Sequence, residues 1–512
     1  KIRDAMALMA EAVWSVIGEG GYSPHTMDAE HAGEYAGLSQ TFMMLLDYGN
    51  PVYVERCMKT VKNMEWWTLV NEQGHRHFRS YLFNASRVDD SEGKDIDHAC
   101  NAYAMKSGFY AAWYSAAEQP RGWLTEWARG WAHAAMTTDK GKPVGAIPYD
   151  IHAKTGEIAP YTEKWNQSVY YRDCLTHVKD LLLGAWDWSG DVAMVGPLKY
   201  QGSAFNEPDM MWRMRSGDTS RDEAAIERAE ALIEQNYTQS DSPEPGSWSA
   251  YNMYGELAYF WAWWATRDMR YLEEGLREQC RNMERMRWLI SEAEPYTDRA
   301  YLPGDRLLPF MMLGGSGGEV RANYPDFAVS WEGIGHDVAV LVTERSDTRL
   351  KVLAYSFAER PLGVFMLTWS LPHGAYRVSY GVDEDGDGAA DTNVETNVVG
   401  LHRYAPAVLT LAPGKTTVIT AEQLERADDI TGRPDLALSA ADVQTQDEEL
   451  VVTVHNLGAA PTPAGIQVEA RDDKGETIAS VELLSIEAPA DCVPSTVTVR
   501  LKAAGARAIV LD

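Results

Sequence analysis

The stretch GHRHFRSYLFN, residues 74–84, places His75, Arg76, His77, Arg79 and Tyr81 within eleven positions. Its aromatic residues favour an extended chain. In a strand, side chains alternate, so His75, His77, Arg79, Tyr81 and Phe83 share one face. A His-x-His pair has the spacing of a metal site. Arg79 is next on that face, however, and a permanent cation repels a divalent ion and attracts an anion. An anion-binding or acid–base site therefore competes with a merely polar strand, and a metal comes third.

The next group is DIDHACNAYAMKSGFY, residues 95–110. Here Asp95 or Asp97 is expected to cap a helix, with His98 and Asn101 three apart on its first turns. KWNQSVYYRD brings Asn166, Tyr170, Tyr171 and Arg172 to another expected helix start. Glu34, with Asp28, Glu30 and His31, and Asn252, with Ser249, fall at equivalent places in further helices. Lys140, Lys142 and Tyr149 sit in a proline-containing loop that lacks a phosphate-loop pattern.

These residues are positioned by a weak internal repeat. Residues 45–64, 115–134 and 264–283 each show a helix ending, a short polar turn and a helix opened by an aromatic residue; residues 215–235 supply a fourth copy. The helix before each turn is small and aromatic all round, which predicts burial. The one after it is amphipathic, which predicts an outer layer. The fold expected is an (α/α) toroid of helical hairpins over 1–300, whose parallel inner helices deliver their leading ends to one mouth. From about residue 337 the pattern changes to period-two alternation broken by Gly, Pro and Asp. That predicts an antiparallel β-sandwich over 301–430 and a small Ig-like β-sandwich over 431–512.

Bulk composition bounds the partners. The net charge of −29 argues against nucleic acid. No run reaches the roughly 18 apolar residues of a membrane span. Eighteen tryptophans and twenty-five tyrosines suit stacking on sugar rings as well as helix packing. The five cysteines are scattered singly and are expected to be thiols rather than a disulfide framework. The chain starts at Lys1 and not Met, which suggests that an N-terminal portion has been removed or lies outside this sequence.

A toroid followed by a β-sandwich, with Asn, His, Tyr and Arg at the cleft, resembles the toroid polysaccharide lyases. The resemblance implies metal-independent β-elimination on a uronic-acid-containing polysaccharide. It implies Asn101 at the substrate carboxylate, His77 or His98 as base, and Tyr81 or Tyr171 as acid. Arg79, His75, Glu34, Asn166, Arg172 and Asn252 would contact the glycan. The last segment, with VVTVHNLGAAPTPA and IQVEARDDKG, resembles the CARDB-type modules of secreted bacterial proteins, which implies a secreted or periplasmic location. One alternative is a toroid glycoside hydrolase using two acids drawn from Asp28, Glu34, Asp97, Asp150, Asp187, Asp191, Glu207 and Asp209. Another is a non-catalytic glycan-binding protein. Finally, DEDGDGAAD places Asp383, Asp385, Asp387 and Asp391 at positions 1, 3, 5 and 9 of a calcium loop, with Gly388 at its tight turn. Val394 stands at position 12 and Glu395 one beyond, so an acidic hairpin is the competing reading, and the role is structural in either case.

Overall fold

The computed structural model describes residues 2–25, 29–170, 174–200, 206–234, 257–285, 307–316, 324–403, 405–446, 449–503 and 506–511. Helices fill its N-terminal half and antiparallel strands its C-terminal half. The chain divides into two compact units. One comprises Lys1–Tyr200, Val320–Tyr324 and Asp429–Asp512; the other comprises Gln201–Glu319 and Pro325–Asp428.

The first unit opens with α1 (Ile2–Ile17), α2 (Ala29–Leu46), α3 (Pro51–Lys62) and α4 (Met64–Trp67). Asn50 caps α3 by accepting from the amide of Val52 at 3.0 Å, with Pro51 at the first helical position. A ribbon follows, β1 (Thr68–Val70) against β2 (Arg76–Phe78), in which Leu69 faces His77. Gly74, at φ +80°, makes its turn, and Asn71 Oδ1 accepts the amides of Gln73 and His75. Then come β3 (Ile96–His98), α5 (Asn101–Ala104), α6 (Lys106–Tyr114), α7 (Glu118–Met136), β4 (Asp150–His152) and α8 (Leu175–Ser189). Every residue of α6 is buried, as its small and aromatic sequence predicts.

Helix–turn–helix pairs stand at all four repeat positions. Two are α2/α3 and α6/α7. The others, in the second unit, are Glu207–Ser216 with Asp222–Glu234, and Ala258–Thr266 with Met269–Arg285. The second unit also holds a five-stranded and a three-stranded antiparallel sheet. The apolar residues of both sheets, among them Val340, Val352, Tyr376, Ile419, Val364, Met366 and Leu409, form one core.

The C-terminal segment has its own sheets and its own core of Val452, Val454, Val468, Ala470, Leu483, Ile486 and Leu501. Among the described residues no helix is long and apolar enough to cross a membrane.

Three local expectations are corrected. The extended run from Gly74 ends at Phe78, after which Asn84 folds the chain into a turn by accepting the amides of Ser86 and Arg87. Asp95 and Asp97 cap no helix, because residues 96–98 pair as a strand with residues 150–152. His98 is therefore on a strand and only Asn101 on a helix. Cys100 and Cys174 are joined in a disulfide, and Cys57, Cys280 and Cys492 are free.

Candidate functional site

Asp97 is the centre of the polar interior of the first unit. It is fully buried, and its carboxylate accepts four hydrogen bonds. Oδ2 accepts from Trp127 Nε1 at 2.7 Å, Trp131 Nε1 at 3.1 Å and His77 Nδ1 at 3.0 Å; Oδ1 accepts from Asn101 Nδ2 at 2.9 Å. The two tryptophans are one helical turn apart on α7, so both indoles reach the same oxygen. A carboxylate accepts only, which makes Nδ1 of His77 the donor. The far side of that imidazole rests on Gly130, where an added Cβ would lie 2.8 Å from Nε2.

Beside this network, the register of β3 and β4 sets His98 directly opposite Asp150. Both side chains are buried, and His98 Nε2 lies 3.6 Å from Asp150 Oδ1. His98 Nδ1 accepts the amide of Cys100 at 3.0 Å, so a neutral His98 carries its proton on Nε2, toward Asp150. Burial lifts the Asp150 carboxyl to about 7, with the charge of Asp97 adding to the lift, although Ser168 Oγ donates to it at 3.0 Å. Two tyrosines close the group. Tyr81 and Tyr170 are half-buried and stack at 4.6 Å; the Tyr170 ring is edge-on to His98 at 5.2 Å, and Tyr81 is 6.3 Å from it. The Cys100–Cys174 disulfide joins the turn two residues after His98 to the residue that precedes α8.

The arrangement therefore sets a carboxyl lifted to about 7 against the Nε2–H face of a buried imidazole, behind an aromatic pair. Of the expected site residues, the structure gathers His98 and Tyr81 in this cluster. His77 and Asn101 lie in the Asp97 network instead. Asn101 spends its donors on Asp97 and on the carbonyl of Ser80, at 3.3 Å, so they are not turned to a substrate carboxylate.

Arg79 is not the open cation that alternation suggested. Its guanidinium donates to Asp90 at 2.5 and 3.1 Å and to the carbonyl of Trp66 at 3.3 Å. His75 is half-buried with its ring 4.7 Å from that of His133; burial, then the neighbouring His133 and His77, lower its basicity. Asn166 is exposed in the segment leading to Tyr170. Tyr171, Arg172 and Asn252 lie outside the described residues, as does the side chain of Glu34. Lys142 is buried with Nζ held by the carbonyls of Ala135 and Ala146, and Lys140 Nζ donates to those of Ala159 and Thr162. Both lysines therefore brace their loop.

Asp150 and Ser168 are the members that the reading of single segments did not bring to His98. Fifty-odd residues separate the two strands, and no local periodicity signals their pairing (a three-residue strand shows hardly one repeat).

In the second unit, Asp383, Asp385 and Asp391 bring carboxylate oxygens within 4.8 Å of one another. Asp387 lies outside that group, and its Oδ1 accepts the amide of Ala389 at 2.7 Å. Glu395 accepts the hydroxyl of Tyr380 and is engaged there.

Neither a protein-family model nor a curated protein matches the chain. Among solved structures, similarity is found to a beta-porphyranase of glycoside hydrolase family 86 from the human gut bacterium Bacteroides plebeius. The identity is 12%, over 34% of this chain and 35% of that one, with a TM-score of 0.11. The chain thus spans about a third of that enzyme's length, and a likeness of this size carries neither fold nor activity across.

Proposed function

We propose that this protein is a carbohydrate-active enzyme that cleaves a uronic-acid-containing polysaccharide by β-elimination at the Tyr81–Tyr170–His98–Asp150 cluster. The observation that supports this most is the buried His98–Asp150 pair set behind two stacked tyrosines. In this reading the sugar meets the tyrosines. As its phenolate, Tyr81 takes the C5 proton, the C4–O4 bond breaks as the C4=C5 double bond forms, and the departing O4 takes that proton from Tyr81, which returns to its starting state. Ionised Asp150 faces the Nε2–H of His98 and orients that ring beside the tyrosines. His77, Asn101 and Arg79 support the site from behind, and glycan contacts fall to Asn166 and its neighbours. The helical toroid over 1–300, the β-sandwich over 301–430 and a CARDB-like module over 431–512 belong to the same reading. Four helix pairs and separate cores in the two strand-rich stretches support it. Secretion is supported by the disulfide, which persists in oxidising compartments.

A hydrolase is the second reading, because a carboxyl that titrates at about 7 suits a general acid. The two readings differ in sign. For elimination, kcat/KM rises as Asp150 ionises through about pH 7; for hydrolysis with Asp150 as acid, it falls through the same value. A panel of polyuronates, followed by the ultraviolet absorbance of an unsaturated uronic acid end and by reducing-sugar release, separates them. Reducing ends without that absorbance would overturn elimination. Glycan binding with neither product would leave a binding protein.

The proposal extends to a structural calcium at Asp383, Asp385 and Asp391, which offer hard oxygen ligands. Calcium added to chelator-treated protein is expected to raise the unfolding temperature, and Asp383→Asn to remove the gain. An unchanged temperature in the unsubstituted protein would mark the loop as an acidic hairpin.

A further inference from the structure

The C-terminal segment belongs to the same compact unit as the N-terminal helices, though 400 residues separate the two groups that meet there. His455 is the penultimate residue of the strand Glu449–Asn456, opposite Ala437 on one side and Thr496 on the other. Its side chain is 9% exposed and reaches two carboxylates. Nδ1 is 2.5 Å from Glu55 Oε1, on α3, and Nε2 is 3.1 Å from Asp442 Oδ1, in the turn Ala440–Asp442. Both acids are held in place. Asn50 caps the helix of Glu55, while Asp442 Oδ2 accepts the amide and hydroxyl of Ser439 at 2.6 and 2.8 Å. Nearby, Tyr114 donates its hydroxyl to Asp435 Oδ2 at 2.6 Å and the amide of Ala116 donates to the carbonyl of Thr431 at 2.9 Å.

The charges around His455 are of one sign. Among the described groups, Glu55 faces it from the helix and Asp442 from the turn. The other charges of α3 are directed elsewhere: Arg56 pairs with Glu11, Lys59 with Glu19 and Lys62 with Glu65. The flanking strands Leu436–Ala437 and Val443–Gln446 contain no charged residue. Arg500, in Ser495–Leu501, lies opposite Val451, four positions along the ladder from His455. A neutral imidazole would leave two carboxylates sharing a mostly buried site without a cation between them, which is costly.

We propose that residues 429–512 are held on the N-terminal helices by a proton-dependent clamp, in which His455 bridges Glu55 and Asp442 while it carries a proton and loosens when it does not. Burial works against charge on the ring, yet Glu55 and then Asp442 outweigh it and lift the imidazole above its ordinary value. A lifted value has a definite sign. The clamp contributes in full below the ordinary histidine value of about 6.5 and is lost as pH rises through the lifted one.

Hydrogen exchange of the full chain at pH 6 and pH 9, corrected for intrinsic rates, tests the clamp in segments 51–62 and 449–456. Protection there is expected to fall about tenfold between the two pH values. In His455→Gln the fall should vanish, with protection already low at pH 6. Asp150 and Lys142 also titrate in this window, but they are unchanged in the variant, so the difference isolates His455. Should His455→Gln lose protection across the core strands 467–471 and 495–501 as well, Glu55→Gln gives the same test from the helix side. An unsubstituted chain with no pH dependence in the two segments, or a Glu55→Gln chain that keeps it in full, overturns the clamp.

Discussion

Asp150→Asn is expected to lower kcat/KM on the cleaved polyuronate by about 10²–10⁴-fold, as the loss of a carboxylate that orients a site histidine does, while leaving the protein folded. The two effects separate because Asp150 is a group that the fold holds reluctantly in its charged form. Its carboxyl stands at about 7 in the folded chain against 3.8 ordinarily, and burial is the main cause. The stability it contributes is therefore complete below the unfolded value and lost as pH climbs through about 7. An amide of the same shape carries no charge to bury, so at pH 8 the variant should unfold no earlier than the parent. It should also flatten the pH–rate profile near neutrality, since the group that titrates there has gone. His98→Ala should match the loss in rate, and the double variant should fall little further, because the pair acts as a unit. Calorimetry with the absorbance assay decides the matter. Full activity in Asp150→Asn, or two losses that multiply in the double variant, would sink the coupled pair.

How much of this was legible in the sequence depends on the range over which each signal acts. The helix pairs were readable because an amphipathic face repeats every few residues, and α6, apolar all round, declared its burial. The strands Val338–Arg345 and Arg349–Ser356 were readable from alternation. Thr392–Leu401 was not, since nearly all of it is exposed and one-sided burial leaves no imprint on its composition. The site divided in the same way. Residue types around 75–101 announced polar chemistry, but which groups meet was fixed by pairings across 52 residues, from His98 to Asp150, and 74, from Cys100 to Cys174. His77 was conspicuous for its neighbours in sequence, yet its role follows from Trp127 and Trp131. Two indoles one turn apart on α7 were the available hint that something buried there accepts hydrogen bonds.

That hint leads to the largest stability effect expected of a single side chain in the first unit. Asp97→Ala should destabilise the protein by about 3–5 kcal/mol, as removal of one partner from a buried charged network does. The reason is what remains behind. The ring N–H of His77, the indole N–H of Trp127 and Trp131, and an amide N–H of Asn101 all point at the vacated carboxylate, and each buried donor left unmade costs about 1–3 kcal/mol. Those costs do not simply add, because water or local repacking satisfies some of the donors. Asp97→Asn keeps the shape but loses the charge and one of the two accepting oxygens, so it should be harmful as well, though less than Asp97→Ala. Trp127→Phe removes one donor along with one bond and should cost far less, about 1 kcal/mol. Urea unfolding followed by tryptophan emission reads all three, since two reporters sit on the carboxylate itself. If Asp97→Asn unfolds within about 0.5 kcal/mol of the parent, the size of a neutral surface change, then the four contacts add nothing to the fold, and the frame that holds His98 against Asp150 must come from elsewhere.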